Sequence, residues 1–146
     1  MIIWPSLFDF YLMPPTTTQL ILGFIITGGY EGSALRSAEV FNPITGHSCP
    51  VGDLPETRQD APMCNNIICG GFGEPEPDQS CVMFDGSSSF TRLPVSLVRK
   101  RDDHLCWGLK TGEVILFGSY DSKRTTERVS ADGSSSSADF SLPYDT

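Results

Sequence analysis

The sequence predicts an all-β chain of about three four-stranded antiparallel units, and three observations predict it. A module of two small residues, a loop, a short apolar strand, a turn and an aromatic strand near Leu-Pro is written three times. Its copies keep a period in the mid-forties. Gly29 to Gly71 is 42 positions and Gly71 to Ser119 is 48, while Phe41 to Phe84 is 43 and Phe84 to Val129 is 45. A fixed period of this size marks a repeat architecture. Fourteen Gly and eleven Pro in 146 residues, with no long apolar period of 3.6, favour short strands joined by turns. The units fall at about 20–59, 60–102 and 103–146, after an irregular apolar leader over 1–19.

In the first unit Thr17–Leu22 and Phe24–Thr27 are expected as strands, with Gly23 as the bend between them. After a polar loop comes Ala38–Phe41, then the turn Asn42-Pro43-Ile44-Thr45-Gly46, where Pro fixes φ early and Gly accepts positive φ late. A weak strand follows around His47–Cys49. In the second unit Asn65-Asn66 suits a tight hairpin between Asp60–Cys64 and Ile67–Cys69, because Asn tolerates the left-handed region. Asp85-Gly86 is read as the same device between Cys81–Phe84 and Ser89–Arg92. In the third unit Lys110-Thr111-Gly112 joins His104–Leu109 to Val114–Phe117, and Asp132-Gly133 joins Thr125–Ser130 to Ser137–Ser141.

A net charge of −8 argues against nucleic acid or an anionic membrane as partner, since both need concentrated positive charge. The one basic run, Arg99-Lys100-Arg101, is followed by Asp102-Asp103 and reads as a solvated, self-neutralising loop. Residues 1–22 carry one charge, Asp9, and no Lys or Arg. Pro5, Asp9 and Pro14-Pro15 interrupt them too early for a membrane span or a convincing signal peptide, so cytoplasmic and secreted locations both stay open.

The steps Ile25-Ile26-Thr27-Gly28-Gly29 and Ile67-Ile68-Cys69-Gly70-Gly71, the strand and turn Ala38-Glu39-Val40-Phe41-Asn42-Pro43-Ile44-Thr45-Gly46, and Leu54-Pro55-Glu56-Thr57-Arg58 resemble a kelch repeat. The resemblance runs from about Leu20 to the C-terminus. It departs from the family where Cys49 stands in place of the usual fourth-strand aromatic, and where the paired Gly becomes Gly118-Ser119. It implies that each unit is a blade of a β-propeller, first strand innermost. Three blades are fewer than closed propellers have. The expectation is therefore a propeller segment, not closed on its own, that needs further blades or a second chain.

Five cysteines leave three readings open. Superposing the first two units puts Cys69 and Cys81 opposite each other on neighbouring antiparallel strands, within disulfide reach if the compartment is oxidising. All five are otherwise buried apolar thiols. A zinc site starting from Cys64 and Cys69 lacks a second close pair, so no metal is expected.

Nothing in the sequence composes a catalytic site or calls for a cofactor. His47 lies in a turn. His104, in Arg101-Asp102-Asp103-His104, has Arg58 but only Ala61 at the matching positions of the preceding unit. Some kelch-like propellers are copper-radical galactose oxidases, but Tyr11, Tyr30, Tyr120, Tyr144 and the two His do not lie in that motif. The resemblance instead implies a non-catalytic protein-interaction scaffold, contacting its partner through loops between second and third blade strands. There Tyr30, Phe72 and Tyr120 follow the small-residue pair in each unit, joined by Glu31, Arg36, Glu74, Glu76, Asp121, Lys123 and Arg124. Aromatics and Arg are the residue types of interface hot spots. An equally open reading makes each aromatic a plug capping its blade. The competing function is a secreted or ectodomain propeller that binds carbohydrate or a matrix ligand.

Overall fold

The computed structural model describes residues 10–12, 22–75, 77–120, 123–134 and 136–141. They hold twelve strands and no helix. Strands β1 (Phe10–Leu12), β2 (Leu22–Thr27), β3 (Ala38–Asn42) and β4 (His47–Pro50) form the first sheet. The second is β5 (Met63–Cys64), β6 (Ile67–Cys69), β7 (Ser80–Phe84) and β8 (Phe90–Ser96). The third is β9 (Leu105–Gly108), β10 (Val114–Phe117), β11 (Thr125–Val129) and β12 (Ser136–Ser141). Each sheet is an antiparallel meander in sequence order, and none closes on itself.

The first unit departs from expectation. Its first strand, at one edge of the sheet, is Phe10–Leu12, inside the stretch read as an irregular leader, and it pairs with Leu22–Phe24. Of the strand expected at Thr17–Leu22, all but Leu22 lies outside the described residues. Gly23 is not a bend but an interior residue of β2. A Cβ there would press on Val40 Cγ1 at 2.9 Å, so close strand packing, not turning, is what requires glycine.

The hairpins follow their side chains. Asn65 and Asn66 take φ of 49° and 64°, the left-handed pair a two-residue loop between Cys64 and Ile67 needs. Asp85-Gly86 is not a two-residue device. Phe84 faces Phe90 across a longer loop, in which Asp85 Oδ1 accepts from the backbone N–H of Ser87, Ser88 and Ser89 and from the Ser87 hydroxyl. Asp132 repeats this with Ser134 and Ser130. These donors favour the ionised form and hold both carboxyls down to about 2.

The sheets pack face to face through the strand period of two. On the middle sheet Ile68, Val82 and Phe84 meet Ile25, Leu54 and half-buried Val40 of the first unit. The alternating residues Cys64, Ile67, Cys69 and Cys81 meet Val114, Leu116 and Val129 of the third. A sheet covered on both faces explains why β6 reads as an unbroken apolar run.

Both junctions are tied in the same way. Gly29 N–H donates to Arg58 C=O (2.8 Å), and Gly71 N–H donates to Arg101 C=O (2.6 Å). Farther out, Gly52 N–H donates to Ser88 C=O and Val95 N–H to Gly133 C=O. A Cβ on Gly28 or Gly70, both at positive φ, would run into the same Arg58 and Arg101 carbonyl oxygens. Each arginine then turns its side chain into its own sheet. Arg58 Nη1 donates to Gly70 C=O (2.6 Å) and Ser80 C=O, and Nη2 to Glu56 (2.9 Å) and the Ser80 hydroxyl. Arg101 Nη1 donates to Gly118 C=O (2.6 Å), and Nε to Glu127 (3.1 Å). Arg101 is thus fully buried, which corrects its reading as part of a solvated basic loop. Within that run Lys100 instead pairs with Asp78 at 2.8 Å.

Two disulfides are present. Cys69–Cys81 joins directly opposed residues of β6 and β7, Cα atoms 4.1 Å apart, as the superposition of units anticipated. Cys64–Cys106, with Cα atoms 6.1 Å apart, was not anticipated and links β5 to β9 across the second junction. Its sequence separation of 42 makes it worth about 4 kcal/mol on chain-entropy grounds. Cys49 is exposed and unpaired.

Two outcomes follow from these ties. Trypsin digestion of protein kept oxidised should release peptide 59–92 joined to peptide 102–110, separating only on reduction, while an alkylating reagent labels Cys49 alone. Arg101→Met strands the buried Glu127 carboxylate and should cost about 3–5 kcal/mol in denaturant unfolding. Adding Glu127→Leu should restore only part of this, because Val98 N–H then loses its acceptor at 2.6 Å.

Candidate functional site

The loops between second and third strands start at the glycine corners just described. Connecting segments interleave with them. Arg58 N–H donates to Leu35 C=O, Gln59 and Phe72 exchange both backbone bonds, Arg101 N–H donates to Asp78 C=O, and Tyr120 N–H donates to Asp102 C=O. The result is one hydrogen-bonded strip along the same edge of all three sheets.

Three aromatics stand out of this strip to nearly the same degree. Tyr30 is 63% exposed, Phe72 64% and Tyr120 68%. A plug would be buried against its sheet, and these are not. Lys123 Nζ lies 5.9 Å from the centre of the Tyr120 ring, within cation–π range. Glu31 and Glu74 are exposed beside the first two aromatics. The backbone of Glu74 is fixed: its N–H donates to the Thr57 hydroxyl, and its C=O accepts from Thr57 N–H. Arg36 is exposed but holds its loop, Nε donating to Leu54 C=O at 2.8 Å. Arg124 is exposed on the third loop, while Glu76 and Asp121 lie outside the described residues.

The two histidines differ in setting. His47 is exposed at the start of β4, paired with Asn42, and not in the turn where the sequence reading put it. His104 is buried, and neither ring nitrogen has a hydrogen-bond partner among the described residues. Burial first, then the Arg101 guanidinium, pushes its pKa down to about 4. It packs as a neutral ring. Next to it, burial and then the carboxylates of Asp60 and Asp102 raise the Asp103 carboxyl above its ordinary range. A shallow groove of about 310 Å³ opens beside Asp78, Ser80 and Arg92, but its charges are spent, Lys100 on Asp78 and Arg92 on Glu56 at 3.0 Å. Among the described residues no three His, Cys, Asp or Glu cluster as metal ligands, and no helix is long and apolar enough to cross a membrane.

Sequence reasoning missed the buried role of Arg58 and Arg101, although their spacing of 43 matches the repeat and signalled it. It also missed Leu105 and Trp107, 61% and 64% exposed on β9. The chain matches no protein-family model, and no curated protein matches its sequence.

His104 predicts an acid-side loss of stability. Its folded pKa lies below the unfolded value near 6.5, so the unfolded chain binds the extra proton first. Its contribution is whole above about pH 6.5, falls as pH drops, and is gone below about pH 4, a change of about 3 kcal/mol. Asp103 titrates in the opposite sense, so the informative comparison is between wild type and His104→Leu. Unfolding free energies from pH 7.5 to 4 should show a flatter slope for the variant.

Proposed function

We propose that the chain is a non-catalytic interaction scaffold, a segment of a kelch-type β-propeller in which each sheet is one blade. It binds a protein partner through the strip of second-to-third-strand loops. The observation that carries this reading is the matched exposure of Tyr30, Phe72 and Tyr120 on loops whose backbones are held by hydrogen bonds. Large aromatics on a rigid frame contribute contact area with little ordering cost, as binding hot spots require. The propeller assignment is supported by the glycine corners, the mid-forties period and the three successive four-stranded meanders. The buried, neutral His104 and the exposed His47 support the absence of catalysis.

A second reading is favoured by one observation. Two disulfides suit an oxidising compartment, where a propeller would meet carbohydrate or matrix ligands. The same aromatics would then stack on sugar rings.

Alanine at Tyr30, Phe72 and Tyr120 separates contact from plug. Each substitution should change unfolding free energy by no more than about 0.5 kcal/mol, as surface changes do. A photo-crosslinking residue at position 72 should give a protein adduct that Tyr30→Ala and Tyr120→Ala remove. Loss of several kcal/mol in the single variants would return the aromatics to a capping role. Glycan-array binding abolished by these substitutions would select the second reading.

A further inference from the structure

The two junctions obey one rule, and the rule leaves two faces unmatched. Register equates Ile25, Ile67 and Ile115, and with them their β-partners Val40, Met83 and Arg128. In the first two sheets this face packs on the next sheet: Ile25 and Val40 on the second, Ile67 and Met83 on the third. In the third sheet the same face carries Ile115 and Phe117, paired across strands with Trp107 and Leu105. Trp107 stands at the position of buried Cys64, yet it is 64% exposed.

The opposite face of the first sheet is the complement. Ile68 and Val82 of the second sheet, and Leu116 and Glu127 of the third, receive the preceding sheet. Their equivalents on the first sheet are Ile26 and Glu39, flanked by the opposed pair Phe24 and Phe41, all only half-buried. Val40 packs against the cluster that holds Val82. By the same relation Arg128 of a third sheet meets Glu39 of a first sheet. Apolar rows therefore match between the two ends, and Arg128, which lies 3.7 Å from Glu113 in its own sheet, adds a charge opposite in sign to Glu39.

We propose that the occupant of both faces is a second copy of this chain. The third sheet of each copy packs on the first sheet of its partner, and the pair closes into a ring of six sheets. A head-to-tail contact closes or runs on depending on its rotation, and six lies within the four to eight sheets that propellers use. This assembly does not depend on what the aromatic loops bind.

Sedimentation velocity on the full chain tests it across about 1–100 μM, a range that brackets micromolar association. The expected species is a dimer of twice the chain mass. Trp107→Glu should convert it to a monomer that keeps its far-UV circular dichroism. Glu39→Arg and Arg128→Glu should each weaken the dimer about tenfold or more, and the double exchange should recover it. A wild-type monomer, which would leave the face to another β-repeat, overturns the proposal. So does an open polymer, or a dimer that Trp107→Glu leaves intact.

Discussion

The arginine in each connecting segment is the interaction on which the sheets depend. Its backbone carbonyl accepts from the second glycine of the preceding sheet, while its side chain reaches the corner of the following one. One residue thus serves two sheets. Glycine is required at the corner because the arginine carbonyl approaches where a Cβ would stand. Burying a guanidinium is costly unless its donors are met. Carbonyl oxygens meet the Nη1 donors of both arginines and a carboxylate supplies the countercharge, while Arg58 Nε and Arg101 Nη2 stay buried with no partner among the described residues. For Arg58 burial pulls the pKa below its ordinary value while Glu56 opposes that pull. The carboxylate comes from different places, Glu56 in the connector and Glu127 on β11, although the guanidinium occupies the equivalent position in both. Where Glu127 stands in the third sheet, the second sheet has Val82, which packs in the core instead.

This arrangement sets the order of strength along the chain. The middle sheet has both faces covered and carries the disulfide Cys69–Cys81, with Cys64–Cys106 fastening it to the third sheet. Asn65 adds a polar clasp there, its amide donating to Leu109 C=O and Glu113 C=O. The first junction has the glycine and arginine ties but no covalent link among the described residues. Local opening should therefore begin in the first sheet, since stability is distributed by burial and cross-linking.

The sheets were legible because their signals are local. Period two, paired asparagines and glycine corners act within a few residues, and they located most strands and the Asn65-Asn66 turn to within a residue or two. Cys69–Cys81 was legible because superposing two units supplies the register. Features that depend on how one sheet meets the next were not. Cys64–Cys106 joins non-equivalent positions, so no superposition of units pairs them. Arg101 sits in Arg99-Lys100-Arg101-Asp102-Asp103, whose composition reads as solvent-facing. Only its equivalence to Arg58 shows that one of the three basic residues points inward. Gly23 failed for a similar reason: a glycine demanded by a neighbour across the sheet looks, in one dimension, like a turn.

The candidate site follows from the same corner. The polar groups of each glycine step are spent holding neighbours: Gly29 and Gly71 donate to the connectors, and Gly70 and Gly118 accept from guanidinium groups. The space beneath the second and third corners is filled by arginine, so a bulky side chain after the glycine pair has no room inward. Phe72 and Tyr120, next after those glycine steps, stand in solvent. Tyr30 adopts the same exposure on a loop closed by its own bridge to Ala34. An aromatic held outward at each repeat adds nothing to the core and exposes apolar area to water. In the proposed function a partner covering the rings would offset that cost.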